Sequence, residues 1–189
     1  MALLLQHIAV SLASLSMVRD RLLGAMEVYR VAPVLPLEII LGKSLSYGLL
    51  LSVVGVVLVL LVNRLLGVPM LGDVRWAAAS LGLLLFSSLG VGFFIAGLAE
   101  TETQAVQLAM LVLLSSIFFG GFFLALETLW EPVRAISYVL PVTHGAQGLR
   151  EVMLRGATPD PISLAALAAI GVVSYALASL ELSRRMATQ

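Results

Sequence analysis

Charged residues along this chain fall almost wholly in the gaps between long apolar runs, which end near Val18, Val62, Leu98, Leu126 and Leu182. A helix needs about 20 apolar residues to cross about 30 Å of hydrocarbon. Ser44 to Val62, Trp76 to Leu98, Ala105 to Leu126 and Ile162 to Leu182 reach that length, and Met1 to Val18 is shorter. The first run is not a secretory signal: it lacks a basic start, carries Gln6 and His7 early, and is followed by Arg19, Asp20 and Arg21. The pattern predicts an all-α, polytopic membrane bundle of about five transmembrane helices, with residues 1–189 forming a single transmembrane domain. No cap or flanking charge precedes the first run, so the expectation is a span whose start is trimmed.

The hydrophilic gaps predict shorter elements. In Arg19 to Lys43, Leu22, Met26 and Tyr29 fall at i, i+4 and i+7, an apolar face from which Glu27 and Arg30 are excluded. Pro33 and Pro36 end any helix there and force a bend before the next span. That element fits either a loop on the membrane surface or a helix that docks on a partner. Ala99 to Gln104 reads as a tight helical hairpin, with Thr101 and Gln104 at capping-box spacing. Residues 127–160, broken by Pro132, Pro141 and the charges Glu131, Arg134, Arg150, Glu151 and Arg155, predict short outer helices dipping into the interface, with Trp130 and Tyr138 at headgroup level. Asp160 and Pro161 mark the start of the last span.

Composition then narrows the function. With 60% hydrophobic and 12% charged residues, the chain is unlike a water-soluble domain. Eleven basic and eleven acidic residues, the basic ones scattered singly, exclude nucleic acid as a partner. The absence of cysteine removes thiol catalysis and thiolate metal sites. Gly42, Lys43 and Ser44 mimic the end of a phosphate-binding loop, but Leu37 stands where the first glycine is needed and no strand precedes it. Glu100 and Glu102 read as solvated loop charges. His7, Ser11 and Ser14 form a weakly polar stripe on the first span that must face protein or a wet cavity, and are candidates for lining a path. His7 and His144 are too far apart in the chain, and too poor in carboxylate neighbours, for a metal site. Small residues recur at helical spacing, as in Ser44, Gly48, Ser52, Gly55 and in Ser88, Gly92, Ala96, which predicts closely packed helices. Counting Lys and Arg on the two sides gives six against five, which puts Arg19 to Lys43 and the C-terminus in the cytoplasm.

The run from Arg19 through Gly24, Ala25, Met26 and Glu27 to Pro33, Glu38, Gly42 and Lys43 resembles the cytoplasmic signature of type-2 ATP-binding-cassette (ABC) permeases, the export-type membrane subunits. Thr101 to Gln107 (TETQAVQ), Gly120 to Glu127 (GGFFLALE) and Ile136 to Gly156, with Pro141, Thr143, Leu149 and Arg150, agree with it in order, so the resemblance covers nearly the whole chain. Family members have six spans, and the usual first one has no counterpart here; Leu124, Ala125 and Leu126 replace a proline often found before the acidic residue of the second stretch.

The resemblance implies a permease subunit of an ATP-driven exporter, not itself an enzyme, in a bacterial-type inner or plasma membrane. Residues 19–36 would be a cytoplasmic coupling helix, with Arg19, Arg21, Leu22, Met26, Glu27, Tyr29 and Arg30 docking on a separate ABC ATPase subunit. The chain needs no cofactor; ATP and Mg belong to that partner. A second permease copy, identical or homologous, and membrane lipid complete the expected partners. The rival reading is a truncated, non-transporting membrane scaffold built on the same bundle. An ion-coupled transporter would show inverted repeats and buried ionisable groups, and an intramembrane enzyme an assembled nucleophile, base or metal cluster.

Overall fold

Helix ends are written into the polar residues between the apolar runs, and a computed structural model of the chain, which describes residues 1–25, 35–121 and 131–188, shows them acting. Among the described residues there are seven helices: α1 (Ala2–Leu22), α2 (Pro36–Leu65), α3 (Val74–Leu98), α4 (Glu102–Phe119), α5 (Glu131–Val139), α6 (Pro141–Arg155) and α7 (Pro161–Thr188). Five of them, all but α5 and α6, are long and apolar enough to cross a membrane. No strand occurs among the described residues.

The starts of α2, α3, α4 and α7 each have a local cause. The Asp73 carboxylate accepts from the Arg75 backbone N–H at 2.9 Å, and the Thr101 hydroxyl accepts from the Gln104 N–H at 3.2 Å. Gln104 reaches back to the Glu100 N–H at 2.8 Å. Asp160 accepts from Ile162 and Ser163 ahead of the last span. α2 begins at Pro36, eight residues before the apolar run. Pro36 sits where its missing N–H costs nothing, and Glu38 accepts from the Leu35 N–H at 2.9 Å. α1 stops at Gly24, whose φ of 77° is open to glycine without strain. The fourth span is shorter than expected, capped at Gly120, and residues 122–130 lie outside the described residues.

α3 is the centre, packing against α1, α2, α4, α6 and α7. Contact with α1 is closest at Gly92, where an added Cβ would lie 2.6 Å from the Ala13 Cβ and 2.7 Å from the Val10 carbonyl oxygen. On the α7 side Tyr175 fills the space that Gly90 leaves, stacks on Phe86 with centroids 4.8 Å apart, and hydrogen-bonds Ser44 of α2 through its hydroxyl. Short helices are present in the described part of residues 127–160, and α6 is packed into the bundle: ten of its 15 residues are buried. Gly145 and Gly148 allow this by seating α6 directly on Leu84 and Ser80 of α3. α2 and α4 are the peripheral spans, and Leu45, Leu49, Met110 and Leu111 lie on their exposed faces.

The packing generates a direct test. Gly92→Leu drives a side chain into the backbone of α1, an overpacking cost of about 1–3 kcal/mol, and should lower the midpoint of thermal unfolding in detergent. Gly82→Leu, with nothing within 4 Å of its added Cβ, should leave that midpoint unchanged.

Candidate functional site

The last two turns of α1 carry Ser16, Arg19, Asp20 and Arg21, and these four residues reach three other spans. Arg19 Nε stands 3.4 Å from Glu102 Oε1 on the first turn of α4, an exposed pair that contributes little by itself. Asp20 accepts from Lys43 Nζ of α2 at 2.7 Å, and the same ammonium donates to the Ser16 hydroxyl at 2.9 Å. This pair is more enclosed than the first, with side chains 26% and 18% exposed for Asp20 and Lys43. Arg21 donates to the Ala96 carbonyl at 3.3 Å and to that of Ala99, both at the C-terminal end of α3.

A second arginine reaches the same helix end from the opposite flank. Arg185 of α7 donates to the Gly97 carbonyl at 2.5 Å. Carbonyls in the last turn of a helix have no partner within it and carry the negative end of its dipole, so two guanidinium groups there satisfy both hydrogen bonding and charge. Hydrogen bonds to a charged donor contribute about 1.5–3 kcal/mol each. We call this face of the bundle, where α1, α3 and α7 end and α2 and α4 begin, the basal end.

Arg19 and Arg21 therefore lie in helix α1 and pair with neighbouring helices, while Leu22 beside them is 57% exposed. Met26, Glu27, Tyr29 and Arg30 lie outside the described residues. The proposed path residues do not share one environment. Ser14 is buried and donates to the Ser11 carbonyl of its own helix at 3.2 Å, whereas His7 and Ser11 are only half buried.

Gln6 is the buried polar residue that the pattern of His7, Ser11 and Ser14 passed over. It is 1% exposed and donates through Nε2 to the Ser116 hydroxyl of α4 at 2.6 Å, joining the first and fourth spans. Its signal was present: Gln6, Ala9, Ala13 and Met17 fall on one helical face, and that face is the buried one. Lys43 and Asp20 were legible only as charges near membrane boundaries, because their pairing depends on how α1 and α2 come together. Among the described residues no three His, Asp or Glu side chains are placed to hold a metal ion.

Comparison with known proteins gives this geometry a family. The ABC-2 type transporter family matches residues 1–154. The inner membrane transport permease YhhJ of Escherichia coli (strain K12) is 30% identical over 184 residues, covering 96% of this chain and 49% of that protein. The probable multidrug ABC transporter permease YbhS of the same organism is 28% identical over 183 residues, covering 95% of this chain and 48% of that protein. ABC transporter G family member 20 of Dictyostelium discoideum is 27% identical over 148 residues, 78% of this chain and 20% of that protein. The chain thus spans about half the length of the first two of these relatives. No solved structure matches it. With five candidate membrane spans and a family match over most of its length, the chain belongs to the ABC-2 type transporter family of integral membrane permeases.

Proposed function

We propose that this chain is the membrane-spanning permease part of an ATP-driven exporter, and that residues 19–36 dock on a separate ATPase subunit that holds the ATP and Mg. The observation that carries the reading is the basal end. The turn of α1 leading into the proposed docking segment is joined through Asp20 to α2, through Arg21 to α3 and through Arg19 to α4. A displacement of that segment by the partner's closure would therefore reach three other spans at once, through short polar contacts in place of compliant loops.

Within this reading Glu27 and Arg30 supply the docking charge, and Leu22, Met26 and Tyr29 seat the segment against the bundle or the partner. A second copy, identical or homologous, completes the path. The exposed apolar faces of α2 and α4, which lipid or a second copy would cover, support that expectation. His7, Ser11 and Ser14 are the candidates for lining the path, and the basal end faces the cytoplasm.

Three experiments check the reading. A partly desolvated charge pair across an interface contributes about 2 kcal/mol or more, roughly a 30-fold change in affinity. The double variant Glu27→Lys, Arg30→Glu should therefore release the ATPase in co-purification while still inserting in the membrane; wild-type co-purification and hydrolysis would return the segment to a surface loop and favour a scaffold.

Arg21→Gln removes charged donors from the end of α3. It should lower transport about tenfold per ATP hydrolysed, with Arg21→Lys intermediate; an unchanged ratio of transport to hydrolysis would remove Arg21 from the transmission. Glu102→Cys, in a chain without cysteine, should react with an impermeant thiol reagent only after the membrane is opened. Labelling from outside intact cells would reverse the orientation.

A further inference from the structure

Away from the basal end, the tip of the α5–α6 hairpin places polar atoms deep among the spans. The register of α6 follows from its glycines: Gly145 lies against Leu84 and Gly148 against Ser80, so α6 runs antiparallel to α3. One turn back from Gly145, Pro141 comes level with Ser87 and Ser88, about halfway along α3. α1 runs antiparallel to α6 as well, since Met1 and Ala2 share a crevice with Ala146 and Leu149. Four residues further along α1, Gln6 is level with Thr143. The hairpin tip, the first turn of α6 and Gln6 therefore occupy one layer, level with the middle of α3 and with the end of the bundle opposite the basal one in α1 and α4.

That layer holds polar atoms without a hydrogen-bond partner: Gln6 Oε1, Ser137 Oγ and Thr143 Oγ1, on residues 1%, 0% and 4% exposed, with His7 Nδ1 beside them. Ser80 Oγ of α3, beside Gly148, is likewise without a partner, whereas several other buried hydroxyls are engaged. Ser87 and Ser88 donate to carbonyls of their own helix, and Ser116 accepts from Gln6. The hairpin is held closed by His144 Nε2 on the Tyr138 carbonyl at 2.9 Å, which leaves the Thr143 hydroxyl unengaged next to it. Buried polar atoms are nearly always satisfied, and in a membrane they line water or a ligand when they are not satisfied by protein.

We infer that the tip of the α5–α6 hairpin is a binding site for a neutral group that both donates and accepts hydrogen bonds, a water molecule or the hydroxyl of a cargo molecule. Gln6 Oε1 accepts from it, and the hydroxyls of Thr143 and Ser137 can donate to it or accept from it. The turns of α1, α3, α4 and α6 at this layer carry no Asp, Glu, Lys or Arg, and the charged residues of α5, Glu131 and Arg134, come one turn or more before Ser137, which makes a neutral group the match for the amide and hydroxyls there; the nearby histidines are His7 and His144. This inference rests on the bundle alone, not on docking with an ATPase.

The chain's freedom from cysteine provides the test. Thr143→Cys is close in size to the native residue, and the full chain in proteoliposomes would be treated with a small methanethiosulfonate reagent that reacts with thiolate. A hydrated thiol ionises and reacts; a desolvated one does so on the order of a hundredfold more slowly. Thr143→Cys should react that much faster than Ala109→Cys, which is buried in an apolar cluster with Val10 and Ile95 on the same bundle. Equal, slow rates at the two positions would overturn the inference. Should Thr143→Cys not fold, Ser116→Cys reports from the same layer by the same criterion. Protection by 1-octanol but not by octane assigns the site to a cargo hydroxyl, and protection by neither assigns it to water.

Discussion

Lipid tails are as apolar as the leucines of a membrane helix, so burying those leucines gives two spans little reason to associate. Close approach of backbones does, through dispersion contacts that fall away steeply with distance. In this chain that constraint centres on α3. Gly92 admits Ala13 and Val10 of α1, Gly90 of α3 makes room for Tyr175 of α7, and Gly145 and Gly148 of α6 bring that short helix onto Leu84 and Ser80. Without these contacts α3 would have no reason to be surrounded, and every polar contact described above would lose its geometry.

The second requirement is that backbone groups at helix ends find partners where water is scarce. The C-terminal end of α3 shows how this is met, with arginines arriving from α1 and α7 on carbonyls of consecutive residues, Ala96 and Gly97. Stabilising α3 in this way also joins three helices at one end of the bundle. α2 and α4 belong to the same basal end through Lys43 and Glu102, yet they bury little of their length. The molecule therefore has a tightly packed framework of α1, α3, α6 and α7, with two spans that add a few buried apolar residues, Ile40 and Leu51 of α2 and Ala105 and Ala109 of α4, polar contacts near their starts and single hydrogen bonds deeper in, Tyr175 on Ser44 and Gln6 on Ser116. Elements with few buried contacts cost least to move, which places conformational freedom in α2 and α4.

Much of this was readable from residue order. The five spans follow from run lengths alone, because a helix that must cross hydrocarbon announces itself by what it excludes. Caps at Thr101 and Asp160 were legible for a similar reason: the residues that satisfy a helix start are adjacent to it in sequence. The family resemblance, too, rested on short ordered motifs. The apolar run from Ser44 does not by itself place the start of α2, which lies eight residues earlier at Pro36, where Glu38 accepts from the Leu35 N–H.

What residue order alone determined, then, is the set of spans, their ends and the chemistry they lack, all of them properties of neighbouring positions in a solvent that tolerates no unpaired backbone. What only the tertiary structure decided is which polar residues meet. Gln6 and Ser116 are separated by 110 positions, Arg185 and Gly97 by 88, and nothing local distinguishes them from polar residues that face solvent. The depth of α6 was hidden for the same reason: its sequence is barely apolar, and it is buried because two glycines let it reach a helix that lies some sixty positions earlier in the chain.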